Sequence, residues 1–127
     1  MIAAVAVGTG VGALARHLAT QVDRRRREGR ERTGRPVGPV PWATLVVNVV
    51  GSALLGWVLA RSATGALSET ATVALGAGLA GGLTTYSTFG VEIVAMTREG
   101  EGRPAAWYAA GTVALGCGAA ALGMLLG

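Results

Sequence analysis

Four long stretches of this chain carry no charge at all: residues 2–15, 37–60, 70–91 and 104–127. Three of them run 22 to 24 residues, beyond the roughly 20 that a helix needs to cross bilayer hydrocarbon. The first reaches spanning length by continuing past Arg16 and His17 to about Val22, with the arginine stretching toward the interface. Only 14% of the residues are charged, against about 25% in an ordinary soluble domain. The pattern predicts an all-α integral membrane protein, a single domain over residues 1–127. Its four transmembrane helices are expected at about 2–22, 42–60, 70–96 and 104–127, with no soluble domain.

The charges that exist are placed unevenly. Residues 23–40 hold Arg24, Arg25, Arg26, Arg27, Arg30, Arg32 and Arg35 and close with Pro36, Pro39 and Pro41 just beyond. Acidic residues and prolines there predict a solvated, arginine-rich loop. The third connection adds Arg98 and Arg103, Arg16 lies near the same side, and only Arg61 faces the other. Ten arginines against one put loops one and three in the cytoplasm and both termini outside. The net charge of +4 therefore reads as membrane orientation rather than nucleic-acid binding, since the arginines sit in one loop without interleaved aromatics. No basic stretch precedes the first apolar run, so it reads as a span and not a cleaved signal. Gly8/Gly12, Ser52/Gly56 and Gly78/Gly82 set small residues four apart, which predicts close helix seams. Cys117, alone among glycine and alanine neighbours, reads as a small packing residue.

The third span carries the chemistry. Gly81-Gly82-Leu83-Thr84-Thr85-Tyr86-Ser87-Thr88-Phe89 places glycines and hydroxyls near the centre of an apolar run. Ser and Thr in a helix can bond back to the preceding turn. Four hydroxyls within five residues, after a glycine pair, instead suggest a helix broken near the membrane centre. Irregular backbone survives at that depth only where protein or an aqueous path covers it. Such a break frees carbonyls on one half-helix, fit for a cation, and N–H groups on the next, fit for an anion. Asn48 sits mid-span in the second helix, as interhelical glue or as part of a path. Tyr86 and Phe89 project from one face, and a ring edge is positive enough to touch an anion. Tyr108 and Thr112 stand one turn apart on the fourth helix and form a short polar stripe or a helix–helix bond. Glu92 reads as a solvated acid near the cytoplasmic face. With one histidine, no nucleophile–base pair and no phosphate loop, catalysis is not expected.

Together these residues resemble the Fluc (CrcB) family of bacterial fluoride channels. The glycine–hydroxyl stretch with Glu92 matches that family's G-G-x-T-T-F-S-T-F-x-x-E. The segment from Thr44 through Asn48 to Ser52 is a second match, and Gly12 to Arg16 a third. The resemblance implies an antiparallel dimer with two narrow fluoride pores along the subunit interface. It places Asn48, Tyr86, Ser87, Thr88, Phe89, Tyr108 and Thr112 on the fluoride path and Arg16 near the vestibule. It also implies a structural sodium ion held by backbone carbonyls of Gly81 and Thr84. Tyr86 stands where the family has Phe, and Gly116 where a hydroxyl often continues the track. A subunit with this charge bias inserts one way only, so the antiparallel partner is expected to be an oppositely oriented paralogue. The expected function is passive export of fluoride across the bacterial inner membrane. The rival expectations are a small proton-coupled multidrug exporter and a non-conducting structural subunit; the exporter would need an exchangeable acid in its chamber, and the first helix has none.

Overall fold

The computed structural model describes residues 1–127 and is entirely helical, without strands. Helix α1 spans Ile2–Arg32, α2 Trp42–Ala63 and α6 Gly102–Leu126. Each of these three is long and apolar enough to cross a membrane. The third span is divided among shorter pieces. Helix α3, Glu69–Val73, starts with the Ser68 hydroxyl accepting the Ala71 N–H. It passes into a π-helical stretch, Ala74–Ala80, then into the single turn α4, Gly81–Leu83. Thr84 and Thr85 have extended backbone, with ψ of 157° and 118°, and α5 follows over Tyr86–Arg98.

Residues 23–32 are helical, which corrects the expectation of a loop running from 23 to 40. Arginine and glutamate are good helix formers, and the single Gly29 costs only about 1 kcal/mol, too little to end the helix before Gly34. Ion pairs one turn apart, Arg24–Glu28 and Arg27–Asp23, both 2.9 Å, reinforce the extension. The helix stops where Gly34 takes a positive φ of 67° and the Arg35 and Gly34 N–H groups cap the carbonyls of Arg30 and Glu31. Gly65 and Gly100 end α2 and α5 by the same pattern. Arg27 also donates to the carbonyls of Gly38 and Val40, drawing the remaining connection back against α1.

Small residues decide how closely the helices approach. A methyl group at Gly12 would fall on the Leu79 carbonyl, and one at Gly82 on the Thr9 carbonyl. Gly8 stands against Ala74 in the same way, so α1 meets the π-helical stretch backbone to backbone. Gly56 and Gly123 seat α2 and α6 against each other, on the carbonyls of Ala120 and Ala53. The expected seams at Gly8/Gly12 and Gly78/Gly82 are therefore contact surfaces within the chain. Only 16 of 127 residues are buried, and large apolar side chains line the outside of every long helix. That inversion suits a chain whose surroundings are lipid or a second subunit.

Gly12→Ala should destabilise the fold by about 1–3 kcal/mol, because its methyl meets backbone that cannot move aside. Gly10→Ala, on the open side of the same helix, should be neutral or slightly stabilising. Thermal unfolding of the two variants in detergent micelles checks the contrast.

Candidate functional site

Two non-helical residues in an apolar span leave four backbone groups to be satisfied. The Thr84 N–H returns to the Ala80 carbonyl at 3.0 Å, and the Thr84 hydroxyl donates to the same oxygen at 3.0 Å. The Thr84 carbonyl accepts from the Arg16 guanidinium of α1, also at 3.0 Å. Asn48 of α2 then takes both polar groups of Thr85. Its Oδ1 accepts the Thr85 N–H at 2.8 Å, and its Nδ2 donates to the Thr85 carbonyl at 3.3 Å. A side-chain amide is itself a peptide group in miniature, so it matches donor to acceptor and acceptor to donor. All four backbone polar groups of Thr84 and Thr85 are thereby paired.

The next half-helix begins from the same residue. The Thr85 hydroxyl accepts the Thr88 N–H at 3.3 Å and donates to the Thr88 hydroxyl at 3.0 Å, with Ser87 Oγ at 3.5 Å. The amino-terminal end of α5 therefore carries a knot of hydroxyls where its dipole is positive. One turn further on, Phe89 packs against Tyr108 of α6, ring centroids 5.4 Å apart and tilted by 58°. Tyr86 stands 6.4 Å from Phe89 and is 88% exposed.

Behind the Phe89 ring lies a polar trio. The two carboxylate oxygens of Glu92 accept from the Thr44 and Tyr108 hydroxyls, each at 2.7 Å. Tyr108 is buried to 2% exposure and Thr44 is buried beside it. Glu92 is thus bound to α2 and α6, which corrects the reading of a solvated acid. Both of its oxygens are used as acceptors, and Met96, Ala105 and Val40 close the apolar cluster around Tyr108. Thr44/Asn48 on α2, Phe89/Glu92 on α5 and Tyr108/Thr112 on α6 each lie about one turn apart. The shared spacing of these three pairs is the signal that would have identified Thr44 and Glu92 from the sequence.

An open groove of about 750 Å³ runs along this face. Asn48, Gly81, Thr84, Tyr86, Phe89 and Thr112 all border it, so most of the expected site residues are brought together. Thr112 is 7% exposed, and its hydroxyl has no hydrogen-bond partner in the chain. Ser87 borders a second groove on the far side of α5, and Thr88 is exposed beside the Thr85 cap. Tyr108 sits behind Phe89 rather than on the groove wall, and Arg16 reaches the break from the α1 side.

A family profile described as CrcB-like protein, Camphor Resistance (CrcB), matches residues 3–124. A protein of Idiomarina loihiensis named fluoride-specific ion channel FluC is 40% identical over 125 residues, covering 96% of this chain and 88% of its own. One of Rhodococcus jostii, named fluoride-specific ion channel FluC 2, is 40% identical over 125 residues, with 96% and 94% covered. A FluC of Thermus thermophilus is 45% identical over 87 residues, with 68% and 70% covered. A profile match over nearly the whole length, together with 40% identity to relatives over 96% of the chain, makes the chain a member of the CrcB family.

Proposed function

We propose that this chain is a subunit of a fluoride channel that lets fluoride leave the bacterial cytoplasm passively through the inner membrane. The observation that carries the reading is the groove at the interrupted backbone, where Asn48, the unpartnered Thr112 hydroxyl and the Phe89 ring converge. Fluoride is small and strongly hydrated, so a selective path must replace its water with donors and positive edges at close range. Hydroxyl donors, a positive helix end and ring edges are of that kind. The names of the chain's relatives give the ion.

The groove is open along one side, and a narrow pore needs a second wall. An antiparallel second subunit would supply it, with the interruption of both chains near the membrane centre. Loops one and three lie in the cytoplasm and the termini outside, and the arginine bias makes an oppositely oriented paralogue the fitting partner. The carbonyls of Gly81 and Thr84 are hard oxygen donors bordering the same groove, suited to a sodium ion. Arg16 uses one lone pair of the Thr84 carbonyl and leaves the other. When bound, such a cation would offset the charge of a passing anion. Arg16, Asn48 and Thr85 hold the backbone that carries those carbonyls.

Fluoride efflux from liposomes holding the chain and its partner tests the channel reading. A passive, fluoride-selective flux is expected; flux that requires a proton gradient would indicate an exporter, and no flux a scaffold. Thr112→Val removes a hydroxyl that bonds nothing in the chain, so stability should hold while fluoride efflux falls about ten-fold. Asn48→Asp should depress both, because its second oxygen would confront the Thr85 carbonyl. Expressed alone in fluoride-sensitive cells, the chain should give little rescue; full rescue without a second homologue would remove the heterodimer from the account.

A further inference from the structure

The helical run of arginines does something the channel function does not require. At 100° per residue, Arg32, Arg25, Arg26 and Arg30 fall within an arc of about 160° that holds no acid. The opposite arc holds Asp23, Arg27, Glu31, Arg24 and Glu28, and with them both ion pairs of the extension. Arg27 faces the protein, bonded to Gly38 and Val40. The four arginines of the acid-free face are exposed and make no ion pair or side-chain hydrogen bond. One side of the helix is internally neutralised, with Asp23 and Arg27 half-buried on it, and the other is left with four uncompensated charges.

That charged face continues an apolar one. Val7, Val11, Leu14, Leu18 and Val22 are all exposed, and they recur three or four residues apart along α1. The same rotation that aligns them places Arg25 and Arg32 within the width of the stripe, with Arg26 about 40° and Arg30 about 80° beyond its edge. A stripe in contact with acyl chains leads directly into guanidinium groups at the level where acyl chains end. Arg25 and Arg26 stand about 4–6 Å beyond Val22 along the axis. The headgroup zone is about 5–8 Å deep on each side, so these two lie within it. Arg30 and Arg32 lie above it and reach back only by their length.

From this continuity we infer that the outer face of α1 is a binding surface for anionic phospholipid. Acyl chains lie along Val7 to Val22, and the headgroup phosphate is held by Arg25 and Arg26, with Arg30 and Arg32 adding attraction from above. Guanidinium forks suit phosphate oxygens, and a basic cluster next to a span draws anionic lipid strongly. The inference rests on the membrane-spanning reading of α1 and is independent of which ion the groove carries.

Native mass spectrometry of the full-length chain in its dimer, offered phosphatidylglycerol and phosphatidylcholine in equal amounts, tests it. The unaltered chain should retain phosphatidylglycerol preferentially, and the variant R25Q/R26Q should lose that preference by about ten-fold. R30Q/R32Q should lose less, and R24Q, on the neutralised face, should lose nothing. The charge-conserving R25K/R26K should keep the preference, which separates lost attraction from lost folding. Retention of phosphatidylglycerol by R25Q/R26Q, or an equal loss in R24Q, would overturn the proposal. So would dissociation of a second protein subunit on neutralising Arg25 and Arg26, since the stripe would then be a protein interface.

Discussion

The pairing of Asn48 with both polar groups of the Thr85 peptide is the interaction on which the rest of this structure depends. Two extended residues within an apolar span expose donors and acceptors where no bulk water can reach them, at a cost of several kcal/mol for each group left bare. Asn48 meets two of these needs with one side chain, and Arg16 meets a third from another helix. The interruption is therefore supported from α1 and α2 at once. The Thr85 hydroxyl, fixed by this arrangement, is what caps α5 and sets the direction of Phe89 and Glu92.

Glycine makes that support possible. Arg16 reaches Thr84 because Gly8 and Gly12 let α1 lie on the backbone of the π-helical stretch. The same closeness leaves little interior to fill, so polar contacts rather than a large apolar core fix the relative positions of the helices. Glu92 illustrates this, tying α5 to Thr44 and Tyr108 through one carboxylate. The groove face of the molecule is built from hydrogen bonds that are completed within the chain, with the Thr112 hydroxyl left over at the groove.

Much of this was legible in the sequence, and the failures have physical causes. Uninterrupted apolar runs revealed the spans because length against bilayer thickness is a strong constraint. Asn48 and the hydroxyl stretch were visible because a polar group in such a run demands a partner. The choice between glue and path for Asn48 was not legible, since it depends on what stands opposite, and the structure sets the Thr85 peptide there. The composition of the arginine segment resembles a loop, but its spacing is helical: Asp23/Arg27 and Arg24/Glu28 are helix-turn pairs, and Gly34 is the stop. Depth alone makes Glu92 look solvated, whereas its place one turn beyond Phe89 puts it toward Tyr108. The π-helical stretch has no sequence signature that would have disclosed it.

The most direct test of the central claim is amide hydrogen exchange at Thr85, followed by solid-state NMR in lipid bilayers. A Thr85 N–H bonded to Asn48 should exchange slowly, as slowly as amides within α6, although it lies outside any helix. In Asn48→Ala it should exchange at least about ten-fold faster while the α6 amides stay protected. Equal protection of Thr85 with and without the Asn48 side chain would contradict the account.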